Sequence, residues 1–205
     1  MRYRPRKLSD QMTGSPDQTI TRSPDLPMAT IYTIGHSTRE LANFSCVLQA
    51  HGIQVLEDIR AFPASRRYPH FNRESLELWL PQIGCEYVWE KDLGGHRKQQ
   101  MPKEQSPNLA LRNESFRNYA DYMLSPKFAA AVERLVERAQ RANTAIMCAE
   151  SVFFRCHRML VSDYLASHGH AVLHIVNENA PTAHVLSKDA RILEGRLEYR
   201  GDYLL

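Results

Sequence analysis

No apolar run in this chain approaches the roughly 20 residues that a membrane-spanning helix needs, so a helical span is excluded. The basic start (Arg2, Arg4, Arg6, Lys7) is followed by no hydrophobic stretch, which argues against a secretory signal. Cysteine is confined to Cys46, Cys85, Cys148 and Cys156. In a long, core-rich chain without a signal, these read as reduced thiols of a cytoplasmic protein rather than a disulfide frame. Neither sign of charge dominates. The net charge is +3, and residues 1–27 supply +2 of it through five Lys/Arg and three Asp/Glu. The balanced remainder does not indicate a general nucleic-acid-binding face, and only a local basic cleft stays open. No G-x-G-x-x-G follows the first strand, which removes the usual dinucleotide loop and disfavours hydride transfer.

What is present suits one domain. Hydrophobic residues make up 43% and charged residues 24% of the 205, ordinary values for a chain with a full core. Residues 1–28 hold four of the eleven prolines and few apolar side chains. Such a segment cannot offset the entropy of ordering, so a flexible extension is expected there, with a single α/β domain over 29–205.

Residues 31–34, 53–59, 85–89, 144–147 and 171–176 are short apolar runs of strand length. Ser37-Thr-Arg-Glu40 fits a capping box for a helix carrying Leu41, Phe44 and Leu48, stopped by Gly52. Asn72 reads as the N-cap of a second helix, which Pro81 should distort. Phe116, Tyr119, Ala120 and Met123 stripe a third. Ser125-Pro126 opens a fourth, with Phe128, Val132, Leu135 and Val136 on its buried face. Residues 159–165 give one face of a fifth. Residues 98–109, with Pro102 and Pro107, predict an exposed loop and candidate lid, and 192–199 around Glu194-Gly195 a hairpin. The order β-α-β-α-β-α-α-β-α-β predicts an α/β, Rossmann-like three-layer fold with a mostly parallel sheet of five or more strands.

Parallel strands bring their carboxyl ends to one rim, where ligands bind in open α/β sheets. Near those ends lie His36 and Ser37, then Asp58 and Arg60 with an irregular basic loop containing Ser65, Arg66 and Arg67. Gly94, Gly95, His96 and Arg97 follow the third strand, and Cys148 and Glu150 the fourth. Cys156, His157 and Arg158 come just beyond, and His174 lies in the fifth strand. Adjacent glycines suit a close backbone approach to a ligand.

With these pieces in order, the sequence resembles the family catalogued as domain of unknown function 488, from about residue 31 to residue 175. The resemblance rests on Thr33-Ile-Gly-His-Ser37; on Asp58-Ile-Arg60 with Pro63, Ser65, Pro69 and Phe71; on Leu93-Gly-Gly95 with Arg97; and on Cys148-Ala-Glu150, Cys156-His-Arg158 and His174-Ile175. It implies a cytosolic Rossmann-like domain and supplies no activity. Phe153-Phe154 departs from the more polar linker expected before the second cysteine.

Four groups are candidates for catalysis: Cys148, Glu150, Cys156 and His157. At the end of a buried strand Cys148 can equally be apolar filler. Cys156, near a helix start and between Arg155 and His157, should ionise more readily. Glu150 can serve as general acid or base, or pair with Arg158 or Arg60. His36, Ser37, Asp58, Arg60, Ser65, Gly94, Gly95, Arg97, Arg158 and His174 are the candidates for substrate binding. The arginines among them suit a bidentate grip on phosphate or carboxylate. The stretch from Cys148 to Arg155 has one residue too many for a C-x5-R phosphatase loop and no glycine to curl around a phosphate. Cys148, Cys156 and His157 are also an alternative ligand set for zinc or iron, although C-x7-C-H is not a standard structural-zinc spacing.

Two functions follow. One is an enzyme of hydrolysis or group transfer acting on a small anionic or nucleotide-like substrate. The other is a non-catalytic module sensing a nucleotide, nucleic-acid end, metal or redox state, favoured by the basic tail and the Arg-rich loop 65–68.

Overall fold

The computed structural model describes residues 28–200. The expected flexible extension lies, apart from Met28, outside the described residues. All five expected strands form: β1 (Thr30–Gly35), β2 (Val55–Asp58), β3 (Glu86–Trp89), β4 (Thr144–Cys148) and β5 (Ala171–Ile175). They are parallel and ordered β3-β2-β4-β1-β5. A two-residue strand, β6 (Thr182–Ala183), adds antiparallel to the β5 edge. It is exposed and too short to carry an apolar pattern, so periodicity could not reveal it.

Among the described residues the five α-helices are α1 (Leu41–Ala50), α2 (Arg73–Trp79), α3 (Glu114–Tyr122), α4 (Pro126–Ala139) and α5 (Arg158–Ser167). They cover both faces of the sheet. Phe44 and Leu48 of α1 and Leu76 of α2 pack with Ile34, Leu56, Ala145 and Met147. Tyr119, Phe128, Leu135 and Leu160 pack with Ile31, Ile146 and Val172. Two separate cores on one sheet make three layers. Along β4 the side chains alternate, so Cys148 faces the same layer as Ile146, toward α3 and α5.

This topology creates the site. β1 runs on into α1 on one face, while its neighbour β4 runs on into α5 on the other. Where adjacent strands send their chains to opposite faces, a crevice opens at their carboxyl ends.

Local signals were kept unevenly. Ser125 caps α4 as expected, its hydroxyl accepting from the Phe128 N–H at 3.2 Å. The capping box at Ser37 does not form. Ser37 sits at φ +50°, and its N–H donates to the Ala149 carbonyl at 2.9 Å, so α1 starts after Glu40 without a side-chain cap. The loop after β1 is thereby zipped to the loop after β4. Asn72 precedes α2, but its side chain accepts from the Ser65 N–H instead of capping. The expected hairpin is β7 (Ala190–Leu193) with β8 (Arg196–Tyr199); Glu194 and Gly195 take the two positive φ values that a tight turn of this kind needs.

The segment 98–109 is mostly exposed but tethered at its end. Ser106 and Asn108 are buried and donate to Asp121 of α3 at 2.7 and 2.8 Å. No helix among the described residues is long and apolar enough to cross a membrane.

Candidate functional site

The carboxyl end of β4 and the approach to α5 bring two thiols against one imidazole. His157 places Nε2 3.0 Å from the Ile59 carbonyl, so that nitrogen carries the proton. Nδ1 is then the open lone pair. It faces Cys156 Sγ at 3.4 Å and Cys148 Sγ at 3.9 Å. The Arg158 N–H, at the first turn of α5, donates to Cys156 Sγ at 3.5 Å. Cys156 is pushed toward thiolate by a hydrogen bond from the Cys148 thiol, by His157 and by the nearby Arg158 charge, against the opposing effect of burial. Cys148 moves the other way, because it keeps the proton it donates to Cys156 and because it is buried.

Arg158 is 1% exposed, and among the described residues it has no carboxylate partner. Its guanidinium donates to the carbonyls of Glu150 and Ser151 and lies 3.5 Å from Thr33 Oγ1, while its Nε has no partner among the described residues. It therefore anchors the loop after β4 from beneath instead of reaching outward. A buried cation without a carboxylate favours a negative sulfur nearby.

Asp58 and Arg60 form a buried ion pair. Arg60 Nε lies 2.9 and 3.0 Å from the two Asp58 oxygens, and Tyr87 OH donates to the same carboxylate at 2.8 Å. Arg60 also reaches the Phe71 carbonyl at 2.7 Å and His36 Nε2 at 3.3 Å. His36 donates through Nδ1 to the Ser37 carbonyl and stacks on Phe71. Burial, and then the Arg60 charge, lower its pKa to about 4, so it is neutral and accepts from Arg60.

Two adjoining hollows open on this rim. One, of about 420 Å³, has Cys148, Cys156, His157, Gly95, Arg97, Arg155 and Phe116 in its wall. The other, of about 480 Å³, is walled by His36, Ser37, Ser65, Arg67 and Tyr68. Arg60, Phe62, Ala149 and Glu150 line both. Glu150 is exposed on the shared ridge, and its carboxylate makes no hydrogen bond or ion pair among the described residues.

Several residues expected to bind a ligand also hold the loops together. A Cβ at Gly94 would come 2.9 Å from Ala61 Cα, and one at Gly95 2.6 Å from His157 Nδ1. These glycines let loop and imidazole pack, and Gly95 also lines the first hollow. Arg97 lines the first hollow but donates to the carbonyls of Gly94, Lys91 and Asp92 and lies over the Tyr122 ring at 3.8 Å. Ser65 turns its own loop, accepting from the Tyr68 N–H.

His174 belongs to a separate network. It is 2% exposed, bonds Thr33 Oγ1 at 2.7 Å and His184 at 3.0 Å, and is covered flat by Phe153 at 3.6 Å. His184 continues to Asp163 at 2.9 Å. Burial, then His184, lower the His174 pKa to about 4. The expected place of His174 on the rim is therefore corrected: it lies inside β5, under Phe153, and lines neither hollow.

Phe62, Phe116, Arg155 and Arg67 line the hollows although none was among the expected site residues. Arg155 stood beside Cys156 in the sequence and could have been chosen on that ground. Phe62 follows no apolar period, so only the fold exposes its role.

Cys148, Cys156 and His157 could also hold a metal, their ligand atoms all lying within 4.8 Å of one another. Zinc–sulfur and zinc–nitrogen bonds of about 2.3 and 2.0 Å in a tetrahedron set S···N edges of roughly 3.5 Å. The observed 3.4 and 3.9 Å bracket that value. The Ile59 carbonyl on Nε2 would fix the ligating tautomer.

No curated protein and no solved structure matches this chain. The family described as Domain of unknown function DUF488 matches residues 40–165, more than half of the chain, and the chain belongs to that family.

Proposed function

We propose that this protein is an enzyme of hydrolysis or group transfer that uses Cys156 as its nucleophile on a small anionic or nucleotide-like substrate. The observation that carries this reading is the His157 ring, pinned through Nε2 to Ile59 with Nδ1 aimed at both sulfurs on the wall of a hollow. A nucleophile, a base and a third group orienting the base form the arrangement that activates thiols. His157 Nδ1 takes the thiol proton and returns it to the leaving group. Cys148 donates a hydrogen bond that holds Cys156 as thiolate. Glu150, free on the ridge, directs the water or acceptor that releases the product.

Alkylation of the thiols by iodoacetamide across pH tests this. Cys156 is expected to react well below the usual thiol range, and His157→Gln to move the reactivity upward. Ordinary reactivity of Cys156 would remove nucleophilic catalysis.

The ligand-edge distances favour a second reading, a metal centre with Cys148, Cys156 and His157 as ligands. In that case the two thiolates and the imidazole would hold zinc or iron, whose chemistry would be to lower the pKa of a bound water, and the thiols would not be nucleophiles. Elemental analysis of purified protein separates the two: one stoichiometric ion supports the metal, and a metal-free protein with a reactive Cys156 supports the thiolate.

A further inference from the structure

The paired hollows differ in chemistry, and the difference speaks to the substrate. Among the described residues Glu150 is the one carboxylate lining either of them, against four guanidinium groups: Arg60, Arg97 and Arg155 in the first, Arg60 again and Arg67 in the second. Arg60 is paired with Asp58 and Arg97 is committed to backbone carbonyls. Arg155 and Arg67 make no ion pair among the described residues and are exposed. Each hollow thus has an open cation at its wall.

Between them stands Phe62. It is 73% exposed, packs in neither core, and lies 5.9 Å from the His96 ring, which is also exposed. Leaving a phenyl ring in water costs free energy unless a partner covers it. Phe116 adds a second aromatic wall beside the thiols. The second hollow shares Phe62 and has Tyr68 in its wall, but the Arg67 guanidinium lies over the Tyr68 ring at 5.5 Å. Its wall offers the Ser37 and Ser65 hydroxyls and the Arg67 guanidinium.

We infer that the cleft takes one nucleotide unit, free or within a single strand, with its base against Phe62 and Phe116 and its phosphate in the second hollow. This rests on the reading of the cleft as a reaction site and names the substrate class for it. A planar base stacks on an exposed aromatic ring whatever its identity. The phosphate meets Arg67 and the serine hydroxyls, which suit its oxygens. The base then lies beside Cys148, Cys156 and His157, so the bond to be changed is on the base or between base and sugar. Volumes of about 420 and 480 Å³ are in the range of ordinary small-molecule sites.

Calorimetric titration of the full chain tests this with adenosine and cytidine 5′-monophosphates, their nucleosides, inorganic phosphate, and a single-stranded DNA of about five nucleotides. At least one nucleotide or the oligonucleotide should bind. Phe62→Ala should weaken that binding about tenfold, the fold-change of one lost stack. Arg67→Ala should weaken the phosphate-bearing probes about tenfold and leave the nucleosides unchanged. Tighter binding of the oligonucleotide than of the monophosphates would assign the strand as the source, and equal binding the free nucleotide. The inference is overturned if no nucleotide probe binds, if inorganic phosphate binds as well as the nucleotides, or if Phe62→Ala changes nothing. Both side chains are exposed, so these variants should fold. Nucleotide binding with an ordinary Cys156 would remove only the thiolate chemistry, and a reactive Cys156 without nucleotide binding would remove only the nucleotide.

Discussion

Gly35 and Glu150 meet where the two central loops cross. A Cβ on Gly35 would overlap the Glu150 carbonyl oxygen and stand 2.8 Å from Ser151 Cα. The neighbouring atoms are backbone, held from the other side by Arg158, so they cannot swing away as a side chain would. Gly35→Ala should therefore displace the loop that carries Glu150. We expect a loss of about 1–3 kcal/mol, or several degrees in thermal melting, with a loss of ligand binding. Gly35→Ala with wild-type stability and binding would show that the loops do not depend on this contact.

Arg158 is expected to hold Cys156 ionised. Removing its charge with Arg158→Met should raise the pH at which Cys156 alkylates by about one unit. The thiolate population falls as pH drops through the thiol pKa, so the variant should lose reactivity first on the acid side. Arg155→Met, which removes an exposed charge, should shift the profile less. Equal shifts for the two would deny the buried guanidinium a special part.

Glu57 is buried in β2 beneath α4. One oxygen pairs with Arg138 at 2.9 Å and the other has no partner among the described residues. Burial raises its pKa to about 7, against the opposing pull of Arg138. A carboxyl whose folded pKa exceeds its unfolded value favours the fold when protonated. That contribution is full below about pH 4.5 and is lost as pH rises to about 7. Urea titrations of Glu57→Gln should show a stability that no longer declines over this window, gaining on the natural chain by at most about 3 kcal/mol near neutrality. Parallel pH curves for the two proteins would argue against the shifted titration.

Asp163 ties the carboxyl-terminal hairpin to α5. It accepts from His184, from the Ser187 N–H and hydroxyl, and from Tyr199 OH at 2.9 Å. Tyr199→Phe deletes one of these bonds and should cost about 1 kcal/mol. Asp163→Ala strands several buried donors and should cost about 3 kcal/mol or more. Proteolysis within residues 177–200 should accelerate in the Asp163 variant alone, and equal protection of both would place the hairpin's anchorage elsewhere.

The sequence by itself determined the elements and their direction. Short apolar runs from 31–34 to 171–176 can bury only as strands, and helices between them force those strands to run parallel. One rim follows from that, and with it the nearness of Cys148, Cys156 and His157, which are separated by few residues. Tertiary structure decided the rest, because charge and glycine patterns do not say which partner they will meet. Arg97 and Arg158 look alike in sequence to any anion-binding arginine, yet backbone carbonyls claim both. Gly94 and Gly95 make room for Ala61 and His157, contacts set by how distant loops stack. His174 shares the Val172 face of β5 through strand alternation, and it is shut off from the rim because Phe153 covers it, a contact that left no periodic trace. Phe62 became a site residue only when β4 settled between β1 and β2, opening a hollow on either side of a ring that the core had no use for.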